Sequence, residues 1–552
     1  MARYAYDRLT ALDNSFLILE RPSAYMHVAS TLVLEAGPLA KPDGGIDADA
    51  IKNRVASALH LIPRYRQKLA YVPFTSQPVW VDDDHFNLDY HIRHSALPHP
   101  GSDDQLKRLS ARIMQQHLDR GRPLWEMWIV EGLSGGRFAI VSKVHHCMID
   151  GVSGMDLLKI LLSAFPENEV GEIPQFIPRP APSGVELLMD ETSRWMRLPY
   201  DTARDVGSFL RAAQNTRREI FTRARAVAET LGASLSTASA TPINADIGPH
   251  RRFDWHVMDV AEVKLVRKGL GGSLNDIVLT VVTGAVRRFL QRRFVDPNRI
   301  DFRVLAPVSV RHEDERGSLG NRVSAWVVDL PVGEEDPRRQ LELISKTTAE
   351  LKASRRAVGA EVLTQVAEWT PSTLLSLAGR NMTRLLPFNM VVTNVPGPQF
   401  PMYMLGAKLI DTFPHVPLMD NLGLGIALLS YNGKLCWGFN ADYDLVPDLS
   451  AFVRAIRESF EELRRLSQAA MAAQASALPA EAPADAPAET LAEPRAVPEP
   501  GAGLGALIGD RPGAVAAAAA VAPVEAEPAA APRRTKKAAG AATRGNGTVL
   551  HS

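Results

Sequence analysis

Phe138-Ala-Ile-Val-Ser-Lys-Val-His145-His146-Cys147-Met148-Ile149-Asp150-Gly151 is the stretch on which the reading of this chain turns. A β-rich apolar run ends at two adjacent histidines. A carboxylate and a glycine follow, and the pattern predicts an amphipathic helix over Val152 to Ala164. Side chains at strand ends that lead into turns project from a rigid scaffold, which suits catalysis. Neighbouring residues on an extended backbone point to opposite sides, so only one of His145 and His146 can face a given cleft. His146, four residues before Asp150, is the candidate. Cys147 points away from it and need not be a nucleophile.

These residue types suit acyl transfer to an alcohol. A hydroxyl is a poor nucleophile at neutral pH because its proton must leave as the new bond forms. An imidazole with a pKa near ~6.5 can take that proton and return it to a departing thiolate, assistance worth roughly 100- to 10,000-fold. A structural reading stands beside this one. Paired histidines can be core, Asp150 can cap the following helix, and Gly151 can make the turn. No third ligand lies at zinc spacing, so no metal is expected.

Bulk properties narrow the class. The 552 residues suggest two or three domains, and 62 basic residues balance 62 acidic ones, so no global charge argues for nucleic acid. Two isolated cysteines, Cys147 and Cys436, exclude a disulfide framework and fit a reducing cytoplasm. The N-terminus lacks a signal-peptide core, and no stretch approaches the ~20 apolar residues that span a bilayer.

Alternating strand-like and helix-like segments run to about residue 467 and read as a mixed α/β fold. The clearest helix is Leu274 to Arg293, where Ile277, Val278, Val281, Val282, Ala285, Val286, Phe289 and Leu290 form one broad face with Arg287 opposite. Asn275 at its start is read as an N-cap. Tyr431-Asn432-Gly433-Lys434 predicts a hairpin turn between Gly423–Tyr431 and Lys434–Asn440. Residues 166–250 read as a Pro-rich and then partly helical crossover, which separates an N-terminal half (1–165) from a C-terminal half (251–467). Residues 468–552, rich in Ala, Pro and Glu, are expected to be a disordered tail.

His-His-x-x-x-Asp-Gly resembles the motif shared by coenzyme-A-dependent acyltransferases and peptide-synthetase condensation domains. Further segments resemble the bacterial wax ester synthase / acyl-CoA:diacylglycerol acyltransferase family: Leu9 to Phe16 with Met26-His27-Val28, Pro123-Leu-Trp125-Glu-Met-Trp128, and Asn275-Asp276. So do Pro307 to Arg311, Gly320-Asn321, Asn394 to Pro398, Thr241 to Asn244 and Gly248 to Arg252. The matches cover almost all of residues 1 to 467 in order.

The resemblance implies two chloramphenicol-acetyltransferase-like subdomains around a central tunnel. It makes His146 the general base and His145 its motif partner. Asp150 becomes an architectural residue paired with an arginine, Arg311 being one guess, and Gly151 allows close backbone approach. Asn275 would then stabilise the thioester oxyanion or orient substrate, as an alternative to capping. Trp125 and Trp128 either line an acyl tunnel or fill the core, and Arg251 and Arg252 either meet coenzyme A phosphates or lie at the surface.

The implied reaction moves a long-chain acyl group from acyl-CoA to diacylglycerol or a fatty alcohol, without a resident cofactor. Expected partners are acyl-CoA, the lipid alcohol and, peripherally, the inner membrane or lipid inclusions. A carrier-protein-dependent acyltransferase and a non-catalytic lipid-droplet binding protein are the alternatives. Acceptor preference, acyl length and oligomeric state are not legible.

Overall fold

The computed structural model describes residues 5–42, 44–148, 160–167, 169–193, 238–309, 323–353 and 387–477. Asp150, Gly151, Arg311, the helix expected from Val152 and the chain beyond 477 lie outside the described residues.

Through His145 the chain supplies the strands β1 (Asp7–Arg8), β2 (His27–Glu35), β3 (Gln67–Tyr71), β4 (Pro78–Asp82), β5 (Ile92–Ala96), β6 (Trp125–Leu133) and β7 (Arg137–His145). Its helices there are α1 (Ala11–Leu19), α2 (Ala48–Ala58), α3 (Leu88–His91) and α4 (Asp103–Met114). From Arg251 come β8 (Arg251–Asp259), β9 (Phe302–Ser309), β10 (Val323–Leu330), β11 (Met390–Pro396), β12 (Tyr403–Met404), β13 (Ala407–His415), β14 (Leu424–Tyr431) and β15 (Lys434–Asp442). The helices are α5 (Val260–Leu270), α6 (Leu274–Arg292), α7 (Pro337–Ala353) and α8 (Leu449–Ala477).

The expected mixed α/β class is what forms. One six-stranded sheet runs β12-β13-β2-β7-β6-β5, a second runs β10-β9-β11-β14-β15-β8, and β1-β4-β3 make a small third. The strand that ends at the histidines is buried almost throughout because both its faces are covered. Phe138, Ile140 and Val144 enter one apolar cluster, while Ala139 and Val141 enter another, which is the period-two alternation of a strand between two layers.

The first sheet does not end where the first half of the chain does. β13 pairs antiparallel with β2, so residues 407–415 complete a sheet built mainly from residues 27–145. Met402, Met404, Leu409 and Tyr431 accordingly join the N-terminal core. The backbones of β13 and β15 approach closely at one point: a Cβ on Gly438 would stand 1.8 Å from the Pro414 carbonyl oxygen.

Asn432 and Gly433 adopt φ of 45° and 78°, which joins β14 to β15 by the expected two-residue turn. In three places the structure departs from the local pattern. The C-terminal helix α8 runs on to Ala477, so residues 468–477 are helical. Alanine is the best helix former, and an Ala-rich run continuing a packed helix extends it. Arg287, expected on the outer face of α6, is buried, because α7 and α8 both pack on this helix. Its guanidinium donates to the carbonyls of Val332 and Gly333 and pairs with Glu335. Asn275 is not the N-cap of α6. Ser273 holds that place and forms a reciprocal capping box with Asp276.

Candidate active site

The turn that carries the histidines is set by strand register. His27 pairs opposite His145, and the His146 N–H then donates to the Met26 carbonyl at 2.8 Å. The chain next winds into a short 3-10 turn over His146–Met148. Cys147 and Met148 are buried in the core beneath. Cys147 is a free thiol whose pKa burial pushes up, so it is poorly suited to nucleophilic attack.

The two histidines differ, as expected for neighbours on an extended chain. His145 is buried, and its Nδ1 accepts the Cys147 N–H at 3.2 Å. In the neutral ring that bond leaves the proton on Nε2. His146 is half-buried, and its ring stacks on Phe16 with centroids 3.9 Å apart and planes 18° apart. Its Nδ1 is enclosed. Burial lowers the His146 pKa to about 4, with the neighbouring His145 acting in the same direction and its own backbone partly offsetting it. At neutral pH the ring is therefore an uncharged base.

A carboxylate that the sequence did not single out lies behind the pair. Glu20 is the C-cap of α1, and its side chain is only 6% exposed. Its Oε1 stands 3.3 Å from His27 Nε2, 3.5 Å from His145 Nε2 and 3.8 Å from His117 Nδ1. Arg120 holds Oε2 through Nη2 at 2.6 Å and also donates to the Leu17 carbonyl at the helix end. Burial alone would raise the Glu20 pKa, but the contacts with His145 and His27 outweigh it and hold the carboxyl well below its usual range. His27, fully buried, is pushed down to about 4 mainly by desolvation. One signal was available: an acid at a helix C-terminus is unfavourable against the dipole unless something pairs with it.

A second cluster joins two motif segments. The Asn394 amide donates to Asn275 Oδ1 at 2.8 Å. Beside it the buried Asp276 accepts from the Thr348 hydroxyl at 2.8 Å through Oδ1, while Oδ2 closes the capping box. Asn275 is exposed. No contact between this cluster and His146 is among those described.

Trp125 and Trp128 cannot line one tunnel together. They lie three apart on β6, and an odd separation on a strand sends side chains to opposite faces. Trp125 is core: its indole donates to the Tyr65 carbonyl at 2.8 Å and its ring stacks on His91. Trp128 packs into the other cluster, with Arg93 over its ring. Arg251 is buried, bonding the carbonyls of Gly248, His250 and Ser23, and Arg252 covers Tyr443. Both arginines thus have structural employment. Among the described residues no three of His, Cys, Asp and Glu converge as metal ligands.

Residues 9–278 match the wax ester synthase/diacylglycerol acyltransferase catalytic domain, and residues 319–464 match the WS/DGAT C-terminal domain. A probable diacylglycerol O-acyltransferase of Mycobacterium tuberculosis is 31% identical over 466 residues, covering 84% of this chain and 96% of that protein. The chain belongs to the wax ester synthase/diacylglycerol acyltransferase family. It is similar in structure to a wax ester synthase/diacylglycerol acyltransferase from Marinobacter aquaeolei VT8, with TM-score 0.59 and 26% identity over 84% of this chain and 100% of that one. A trichothecene 15-O-acetyltransferase from Fusarium sporotrichioides shares the fold at TM-score 0.54 and 12% identity, over 84% and 96% of the two chains. Membership makes the chain an acyl-CoA-dependent acyltransferase.

Proposed function

We infer that His146 is the general base of an O-acyl transfer from acyl-CoA to a lipid alcohol, either diacylglycerol or a long-chain fatty alcohol. The observation that carries the reading is an uncharged, half-buried imidazole at the end of β7, in a chain of this acyltransferase family. With Nδ1 enclosed, Nε2 takes the hydroxyl proton as the oxygen attacks the thioester carbonyl carbon. The tetrahedral intermediate collapses, the carbon–sulfur bond breaks, and the proton passes from Nε2 to the coenzyme A sulfur. In this reading the Asn275 amide, whose Oδ1 accepts from Asn394, donates to the oxyanion, a contribution of about 3 kcal/mol where such a donor operates. Asp150 and Gly151 keep their architectural roles in this reading. Acyl-CoA is a substrate, and the chemistry calls on no resident cofactor.

The acceptor has to come from a lipid phase, so the enzyme meets a membrane surface or lipid inclusion peripherally. No single described helix is long and apolar enough to cross a membrane. The test is purified enzyme with labelled palmitoyl-CoA and, separately, diolein and hexadecanol. Product should form with at least one acceptor, and His146→Ala should lose roughly 100- to 10,000-fold in rate. Full activity in that variant would end the mechanistic reading. An acyl-carrier protein offered as donor should give no product.

A further inference from the structure

The roles of α1 and of the carboxylate behind the histidines are not accounted for by the reaction above. Phe16 and Glu20 are four residues apart, one turn of the same short segment, so they project on one side of it. Each reaches a different member of the histidine pair. Phe16 lies face to face with the His146 ring, and Glu20 Oε1 faces His145 Nε2.

We propose that α1 is a two-point clamp on the active-site turn, in which Glu20 is a positioning residue that anchors His145 while Phe16 fixes the ring plane of His146. This rests on the reading of His146 as the base. His145 transmits the anchor because its Nδ1 holds the Cys147 N–H, the amide immediately after His146. Its position therefore dictates where the 3-10 turn begins. The Glu20 contacts, at 3.3 and 3.5 Å, are long, and both hydrogen bonding and charge draw the carboxylate to the two rings, hydrogen bonding being the larger. Arg120 keeps that charge in place from the far side and ties it to the end of α1.

Phe16 has a separate consequence. Its face covers the imidazole, and removing it admits water and eases the desolvation that disfavours the charged ring. The other titratable groups around the turn are His145 beside the ring, Glu20 behind it, Asp13 on α1, Arg120 and Arg64 outside it, and the uncharged His27 on β2. None of these leaves when Phe16 is shortened, so the change in ring hydration can be read alone.

The experiment compares Glu20→Gln, Glu20→Ala, Phe16→Leu and Phe16→Ala with wild type and with His146→Ala, on the full chain. Readouts are kcat, KM for palmitoyl-CoA, the pH profile of kcat/KM and the thermal unfolding midpoint. Loosening the turn should cost Glu20→Ala about 100-fold in kcat with little change in KM, the scale of a misplaced catalytic group. Glu20→Gln keeps the shape and one acceptor oxygen, so it should fold like wild type and lose about 10-fold. Phe16→Leu and Phe16→Ala should move the acid limb of the profile upward in pH, the alanine further than the leucine. If Glu20→Gln matches wild type in kcat, and neither Phe16 variant moves the acid limb while His146→Ala is inactive, the clamp is wrong and the base assignment survives. If His146→Ala is fully active, the assignment of the base fails first.

Discussion

At the residue scale, the site is bordered by charge taken out of water, and Lys143 with Glu126 is a buried pair of this kind. Lys143, two residues before His145, is fully buried, and its ammonium reaches Glu126, the Ile113 carbonyl and the Gln116 carbonyl. A cation there satisfies the open end of α4 and ties that helix to β7. Replacing one partner of such a pair strands the other, typically at about 3–5 kcal/mol, whereas replacing both by apolar groups is often close to neutral. Lys143→Met leaves Glu126 the longer 3.5 Å contact with Arg93, so it should destabilise by up to about that amount, and Lys143→Met with Glu126→Leu should recover most of it. Chemical denaturation of the single and double variants measures the difference. Equal losses in both would show that the α4 carbonyls, and not Glu126, are the partners that matter.

At the element scale, the exchange of β13 into the first sheet depends on how near two strands can pass. Gly438 lies in β15 where the Pro414 carbonyl of β13 leaves no space for a Cβ. A backbone oxygen cannot swing aside as a long side chain can. Gly438→Ala should thus cost at least the upper part of the roughly 1–3 kcal/mol expected of overpacking. Gly433→Ala at the adjoining hairpin turn has open space around it and is burdened only by its positive φ of 78°. A comparison of unfolding midpoints should rank Gly438→Ala as the worse of the two. The reverse ranking would mean that β13 and β15 can separate without penalty.

Considered as a whole molecule, the fold holds several imidazoles uncharged. Burial lowers His27 and His146 to about 4 and His415 to about 3, against an ordinary value near 6.5 in the unfolded chain. A depressed histidine binds fewer protons folded than unfolded below pH 6.5, so its stabilising effect is complete above that pH and is lost as the pH falls toward 4. The Glu20 carboxyl, also depressed, adds a loss of the same sign at still lower pH. The thermal midpoint should be flat above about pH 7 and fall steeply between about pH 6.5 and 4. His415→Gln, at a ring that contacts Thr31 and stacks on Phe253, should flatten part of that slope. An unchanged midpoint down to pH 5 would contradict the burial of these rings.

What the sequence determined alone is what a few neighbouring residues decide between themselves. The Asn432-Gly433 turn needs only two residues that tolerate positive φ, and the Leu274 helix announces itself by its own period. The strand that ends at His145 and His146 likewise follows from local pattern and parity, as do the different surroundings of the two rings. Tertiary structure decided everything that depends on distant chain segments meeting. The first sheet takes β13 from residues 407–415, and Arg287 is buried because two helices cover it. Trp125 and Trp128 part company across a sheet. Glu20 becomes the partner of His145, 125 positions later, only when α1 folds against the turn. Backbone preference is short-ranged, and so it is legible in a few letters. Desolvation and Coulomb energy depend on three-dimensional separation, and no spacing along the chain records that.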